Sequence, residues 1–125
     1  MTAPAAGSQY MLLFRGLHWD EDLSPEEIGK VMVKWDAWFD RLVQEGKAII
    51  GQPLTNEGKI LSGSHGLNVV DGPFAEAKEA VAGYVVLRAA DLDEATDLAK
   101  ECPGLDHEIK IEVRPIRDAR GRGPA

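Results

Sequence analysis

Between two apolar runs the chain reads Asp71-Gly72-Pro73-Phe74-Ala75-Glu76-Ala77-Lys78-Glu79, one aromatic and four charged residues in a single connection. A hairpin turn needs only two to five polar residues, and about a dozen stand here before the next β-run. Asp71, placed ahead of Gly-Pro, can bond the backbone two residues on as an Asx-type turn. Two readings are open. In one, Asp71, Gly72 and Pro73 fix a rigid turn and Phe74 plugs the core. In the other, Asp71, Glu76 and Lys78 project into a cavity mouth as acid, base or anchor, with Phe74 among the substrate contacts.

Other residues invite the same double reading. His65, between Ser64 and Gly66, supplies a base at neutral pH without special tuning, and Asp71 would orient it if the fold joins them. Arg15 and Arg88 sit in β-like runs, where a buried guanidinium needs a carboxylate partner. That partner is either a substrate, held bidentately, or an acid such as Asp71 or Glu76. The run His18-Trp19-Asp20-Glu21-Asp22 lacks the spacing of convergent metal ligands, and its acids suit the start of the helix that follows. His107 has no partner nearby in the sequence, so no metal site is assigned. Cys102 ends a helix, where the dipole disfavours a thiolate, and reads as a small buried residue. The chain has no phosphate loop, dinucleotide fingerprint or Cys-x-x-Cys, and no cofactor is assigned.

The elements that must position these groups follow from periodicity and punctuation. Gln9 to Leu17 reads as a strand, with Tyr10, Leu12, Phe14 and Gly16 on one face and Met11, Leu13, Arg15 and Leu17 on the other. Ser24, Pro25 and Glu27 form the N-cap, first turn and capping box of a helix. Its stripe is Ile28, Val31, Trp35, Trp38, Phe39 and Leu42, and Gly46 stops it. Lys47 to Gly51 is a short strand broken by Pro53. Lys59 to Val70 reads as one strand, bent or bulged at Gly63 and Gly66. Tyr84 to Ala89 is the next strand. Asp91 and Glu94 cap a second helix with an inner face of Leu92, Ala95, Leu98 and Ala99, ended by Cys102-Pro103-Gly104. Glu108 to Pro115 alternates as a half-buried last strand, with Ile109, Ile111 and Val113 inward.

This order, β-α-β-(β)-β-α-β, predicts an α+β fold: a ferredoxin-like βαββαβ sandwich with two helices on one face of an antiparallel sheet. Both faces of the first strand are largely apolar, so a second chain is expected to cover the free face, sheet to sheet, in a homodimer. Residues 9–117 form the one domain, between a flexible N-terminus at 1–8 and a flexible C-terminal tail at 118–125. With 14 basic and 21 acidic residues the net charge is −7, which disfavours nucleic acid and anionic membranes as partners. One cysteine excludes an intrachain disulfide, and no apolar run approaches the ~20 residues of a membrane span. A cytoplasmic location is expected.

Several segments together resemble the DGPF branch of the YCII-related (YciI-like) family. They are Tyr10-Met11-Leu12-Leu13, Asp71 to Glu79, Gly83-Tyr84, Asp91-Leu92-Asp93-Glu94-Ala95 and Glu112-Val113-Arg114-Pro115-Ile116. The resemblance implies a dimeric α+β barrel. It also implies that relatives carry a His-Asp pair proposed for acid/base chemistry, at positions held here by Trp35 and Cys102. That chemistry is therefore not carried over, and Trp35 is expected to line the pocket where relatives place their His. Two functions are weighed on this basis, beside a purely structural dimer whose turn motif merely holds the fold. One is a small-molecule acid/base enzyme (isomerase, lyase or hydrolase type) for a small carbonyl or lactone-like acid, a carboxylate or lactone ligand, using His65 and Asp71 with Arg15 as anion anchor. The alternative is a non-catalytic ligand- or protein-binding regulatory module with a sigma-factor-type partner.

Overall fold

The computed structural model describes residues 8–16, 19–55, 57–71 and 81–117. Among the described residues, six strands and two α-helices follow one another as β1 (Ser8–Arg15), α1 (Pro25–Gln44), β2 (Ala48–Pro53), β3 (Lys59–Ser62), β4 (Asn68–Asp71), β5 (Val81–Ala89), α2 (Leu92–Lys100) and β6 (Lys110–Pro115). β2, β5, β1 and β6 form, in that order, one four-stranded sheet in which every pairing is antiparallel. With β3 and β4 set aside, this is the ferredoxin-like βαββαβ order.

Local chemistry accounts for each boundary. Ser24 Oγ accepts from the Glu27 N–H at 3.1 Å and the Ser24 N–H donates to Glu27 Oε1 at 3.0 Å, so the capping box of α1 is closed. Gly46, at φ +75°, turns the chain out of α1 where a side chain would be strained. At α2, Asp91 Oδ1 accepts from the Glu94 N–H, while Glu94 reaches the Ala90 N–H one residue earlier than a capping box requires. Pro103 opens a 3₁₀ turn (Pro103–His107) that hands the chain to β6.

Strand alternation sends Tyr10, Leu12 and Phe14 of β1 and Val85, Leu87 and Ala89 of β5 toward the helices, where all six are buried. Val31, Trp38 and Leu42 of α1, and Ala95, Leu98 and Ala99 of α2, close over them. Trp38 donates its indole N–H to the Leu98 carbonyl at 3.1 Å, so the largest core ring leaves no buried donor unpaired.

One segment departs from expectation. Lys59 to Val70 is not a single bent strand but a hairpin of β3 and β4, paired Lys59 to Asp71, Ile60 to Val70, Leu61 to Val69 and Ser62 to Asn68. Gly63 and Gly66, at φ +82° and +65°, reverse the chain rather than bulge it, around a 3₁₀ turn at Ser64–Gly66. The hairpin forms a sheet of its own. Among the described residues no helix is long and apolar enough to cross a membrane.

Candidate functional site

A cavity of about 390 Å³ opens between α1 and the β2–β5 side of the sheet. Its size suits a small organic ligand. The helix contributes Met32, Trp35, Asp36 and Phe39, spaced three, four and seven residues from the first, so one helical face supplies one wall. Phe14 of β1 and Gly83 to Val85 of β5 form the floor. Gly51, Gln52, Pro53 and Leu54 bring in β2 and its exit, and Trp19 and Ile109 complete the lining.

The lining is built on aromatic contact. The Phe14 and Trp35 rings lie 5.4 Å apart at 57°, and Trp19 meets Trp35 at 6.2 Å and 42°. Glycines make room for these rings. A Cβ at Gly104 would sit 2.5 Å from Trp35 Cζ3, and one at Gly51 would sit 2.8 Å from Phe39 Cε1. Tyr84 Oη donates to Gln52 Oε1 at 3.2 Å, which joins β5 to β2 where both line the cavity. Asp36 is the one ionisable acid or base, tyrosine aside, among the described lining residues.

The residues singled out in the sequence divide between three places. Trp35 lines the cavity. Arg15 lies on the sheet face away from the helices, where its Nε and Nη2 donate to Glu112 Oε1 at 3.2 and 2.8 Å. A carboxylate partner of Arg15 thus stands on the neighbouring strand β6. Arg88 is exposed on that same face, opposite Gln9. His65 and Asp71 belong to the hairpin, with His65 exposed in the turn at φ +58°. Asp71 is at the far end of β4, its Oδ1 2.5 Å from Lys59 Nζ. Three strand steps from Asn68 to Asp71 cover about 10 Å, so the fold does not bring this pair together. Phe74, Glu76 and Lys78 lie outside the described residues, as do His18 and the two termini.

Sequence reasoning missed Met32, Asp36, Gly51 and Gln52. A signal existed for two of them. Met32 and Asp36 precede Phe39 by seven and three residues, on the helical face that Trp35 shares, but an acid on a surface helix looks solvated. Cys102 is buried, and burial pushes its thiol up to about 11, so it is protonated at neutral pH and no nucleophile. Among the described residues no group of three or more His, Cys, Asp and Glu is placed to hold a metal ion.

Residues 10–120 match the YCII-related domain. The chain is also 35% identical over 97 residues to an uncharacterized protein of Rhizobium meliloti (strain 1021), covering 74% of this chain and 78% of that protein.

Proposed function

The chain belongs to the YCII-related family, and on that footing we propose that it binds a small, largely apolar, ring-bearing molecule, neutral or cationic, in the cavity under α1. One observation carries this reading: aromatic side chains line the cavity, and Asp36 is the one charged side chain among its described lining residues. Phe14, Trp19, Trp35 and Phe39 offer ring faces and edges, which suit a planar apolar body and attract a cation. Asp36 adds a negative charge and no described lining residue offsets it. A lactone or a cyclic amine fits that balance, whereas a carboxylate meets repulsion. Acid/base chemistry on the bound molecule is a second reading, favoured only by the position of Asp36, which would then be the proton acceptor.

Tryptophan fluorescence tests the proposal directly, because Trp19 and Trp35 line the cavity and Trp38 beside them is buried. Three compounds of one size are titrated: an arylalkyl amine, an aryl lactone and an arylacetate. We expect saturable emission changes for the amine and the lactone, lost in Trp35→Ala. The amine is favoured over the arylacetate by about tenfold, as a partly solvated charge worth roughly 1.4 kcal/mol would give. Asp36→Asn removes that preference without removing lactone binding. If none of the three perturbs the emission, the cavity is not a binding site for this class.

A further inference from the structure

We infer, on the reading of the cavity as a binding site, that His107 is a positioning residue for it: His107 backs the ring of Trp19, and through that ring it sets how fast a bound molecule leaves. Trp19 lies between two other rings, 6.2 Å from Trp35 at 42° and 6.2 Å from His107 at 55°. Trp19 and Trp35 line the cavity, whereas His107 touches Trp19 without lining it. The histidine that had no neighbour in the sequence thus ends a row of rings that begins in the cavity wall.

The wall differs along its length in what fixes it. Phe14 is held by β1, Trp35 and Phe39 by α1, and Tyr84 by β5. Trp19 is the one aromatic lining residue, among those described, that stands outside every strand and helix. Its backbone belongs to the connection between β1 and α1, and a connection fixes a side chain less firmly than a packed element does. The place of its ring is therefore set by what the ring touches.

One turn stands behind both tryptophans. The 3₁₀ turn Pro103–His107 sets Gly104 against Trp35, so closely that a Cβ there would lie 2.5 Å from Cζ3, and sets its last residue, His107, against Trp19. The turn is a firm backing. The Leu105 N–H donates to the Cys102 carbonyl and the Ile109 N–H to the Gly104 carbonyl, each at 3.2 Å, and Cys102, Gly104 and Ile109 are buried. Trp35 meets backbone, which cannot yield. Trp19 meets a side chain, whose replacement leaves the turn intact. A ring pair at this spacing shifts an equilibrium several-fold, enough to decide whether Trp19 stays against the wall or swings out.

Fluorotryptophan NMR reads the ring positions without any ligand, with Trp19 and Trp35 assigned by single Trp→Phe replacements and Trp38 by difference. In His107→Ala the Trp19 resonance is expected to shift or broaden while that of buried Trp38 stays. His107→Phe restores a ring and should restore the Trp19 signal. His107→Gln, of similar length without a ring, should behave as His107→Ala and serves in its place if that chain does not fold. Stopped-flow release of the aryl lactone, uncharged so that Asp36 adds no attraction, should quicken about fivefold in His107→Ala and return toward the wild-type rate in His107→Phe. Leu105→Ala, at an exposed position of the same turn, should leave it unchanged. Trp19→Leu should quicken release too, and adding His107→Ala to it should change nothing further, because the effect passes through that ring. A Trp19 resonance indifferent to residue 107, unchanged release in His107→Ala, no recovery with phenylalanine, or additive effects in the double variant would each overturn the role of His107. A wild-type chain that binds no lactone would instead overturn the binding reading, and the fluorine resonances would still decide whether His107 holds Trp19.

Discussion

Gly104 holds Trp35 against the wall of the cavity, and the hold is steric. A methyl at this position meets Trp35 Cζ3 at 2.5 Å and Cη2 at 2.7 Å, so Gly104→Ala must push the indole aside. The free volume lies on the cavity side. We expect Gly104→Ala to fold with a loss of about 1–3 kcal/mol, the usual cost of overpacking, and to weaken ligand binding by partial filling of the cavity. Denaturant unfolding and the fluorescence titration read the two effects separately. Stability lost with binding intact would place the displaced ring elsewhere. At this scale the sequence was only partly legible. Trp35 came into view through the family resemblance, which sets it where relatives place their His, while the aromatic stripe alone reads as core. Arg15 announced its need for a carboxylate but not which one, because Glu112 is 97 residues away and only strand register joins them. Asp36 was hidden, since a helix acid carries the same sequence pattern facing water or facing a cavity.

Helix α1 shows why elements were more legible than sites. Caps are written within four residues, and Ser24, Pro25 and Glu27 form the box their spacing announced. Loss of the Ser24 hydroxyl leaves the Glu27 N–H without its capping acceptor, so Ser24→Ala should cost about 1 kcal/mol, a fall of roughly 4 °C in Tm. The Ser24 N–H, by donating to Glu27, also holds that carboxyl below its ordinary value. A carboxylate whose pKa is depressed by folding stabilises above its unfolded pKa, and that contribution disappears as pH falls through the folded value. The Ser24→Ala deficit should therefore be clear at neutral pH, and Glu27→Gln should flatten the acid limb of the stability profile. An unchanged Tm in Ser24→Ala would mean that tertiary packing alone fixes the start of α1. The same local logic misled at Lys59 to Val70. A glycine inside an apolar run serves a bulge or a reversal equally well, and the positive φ at Gly63 and Gly66 decides between them without leaving a mark in composition.

At the scale of the whole molecule, the sheet order follows from the alternation of elements, since two antiparallel βαβ halves interleave only one way around β1. The hairpin stands outside that logic: it is inserted between β2 and β5 and bonds to neither. Stability should accordingly be uneven. β1 and β5 are central strands with their helix-facing side chains buried, while every residue of the β3–β4 hairpin except Gly66 is exposed. Hydrogen exchange separates the two. The hairpin amides that bond across β3 and β4 should exchange close to the rate of an unstructured peptide. The amides of β1 and β5 should stay slow, because the buried core on their helix side shields them. A hairpin protected as well as β1 would show that two short strands and the Lys59–Asp71 pair suffice to hold it. An exposed ion pair contributes at most about 1 kcal/mol, so that pair alone is a weak source of order.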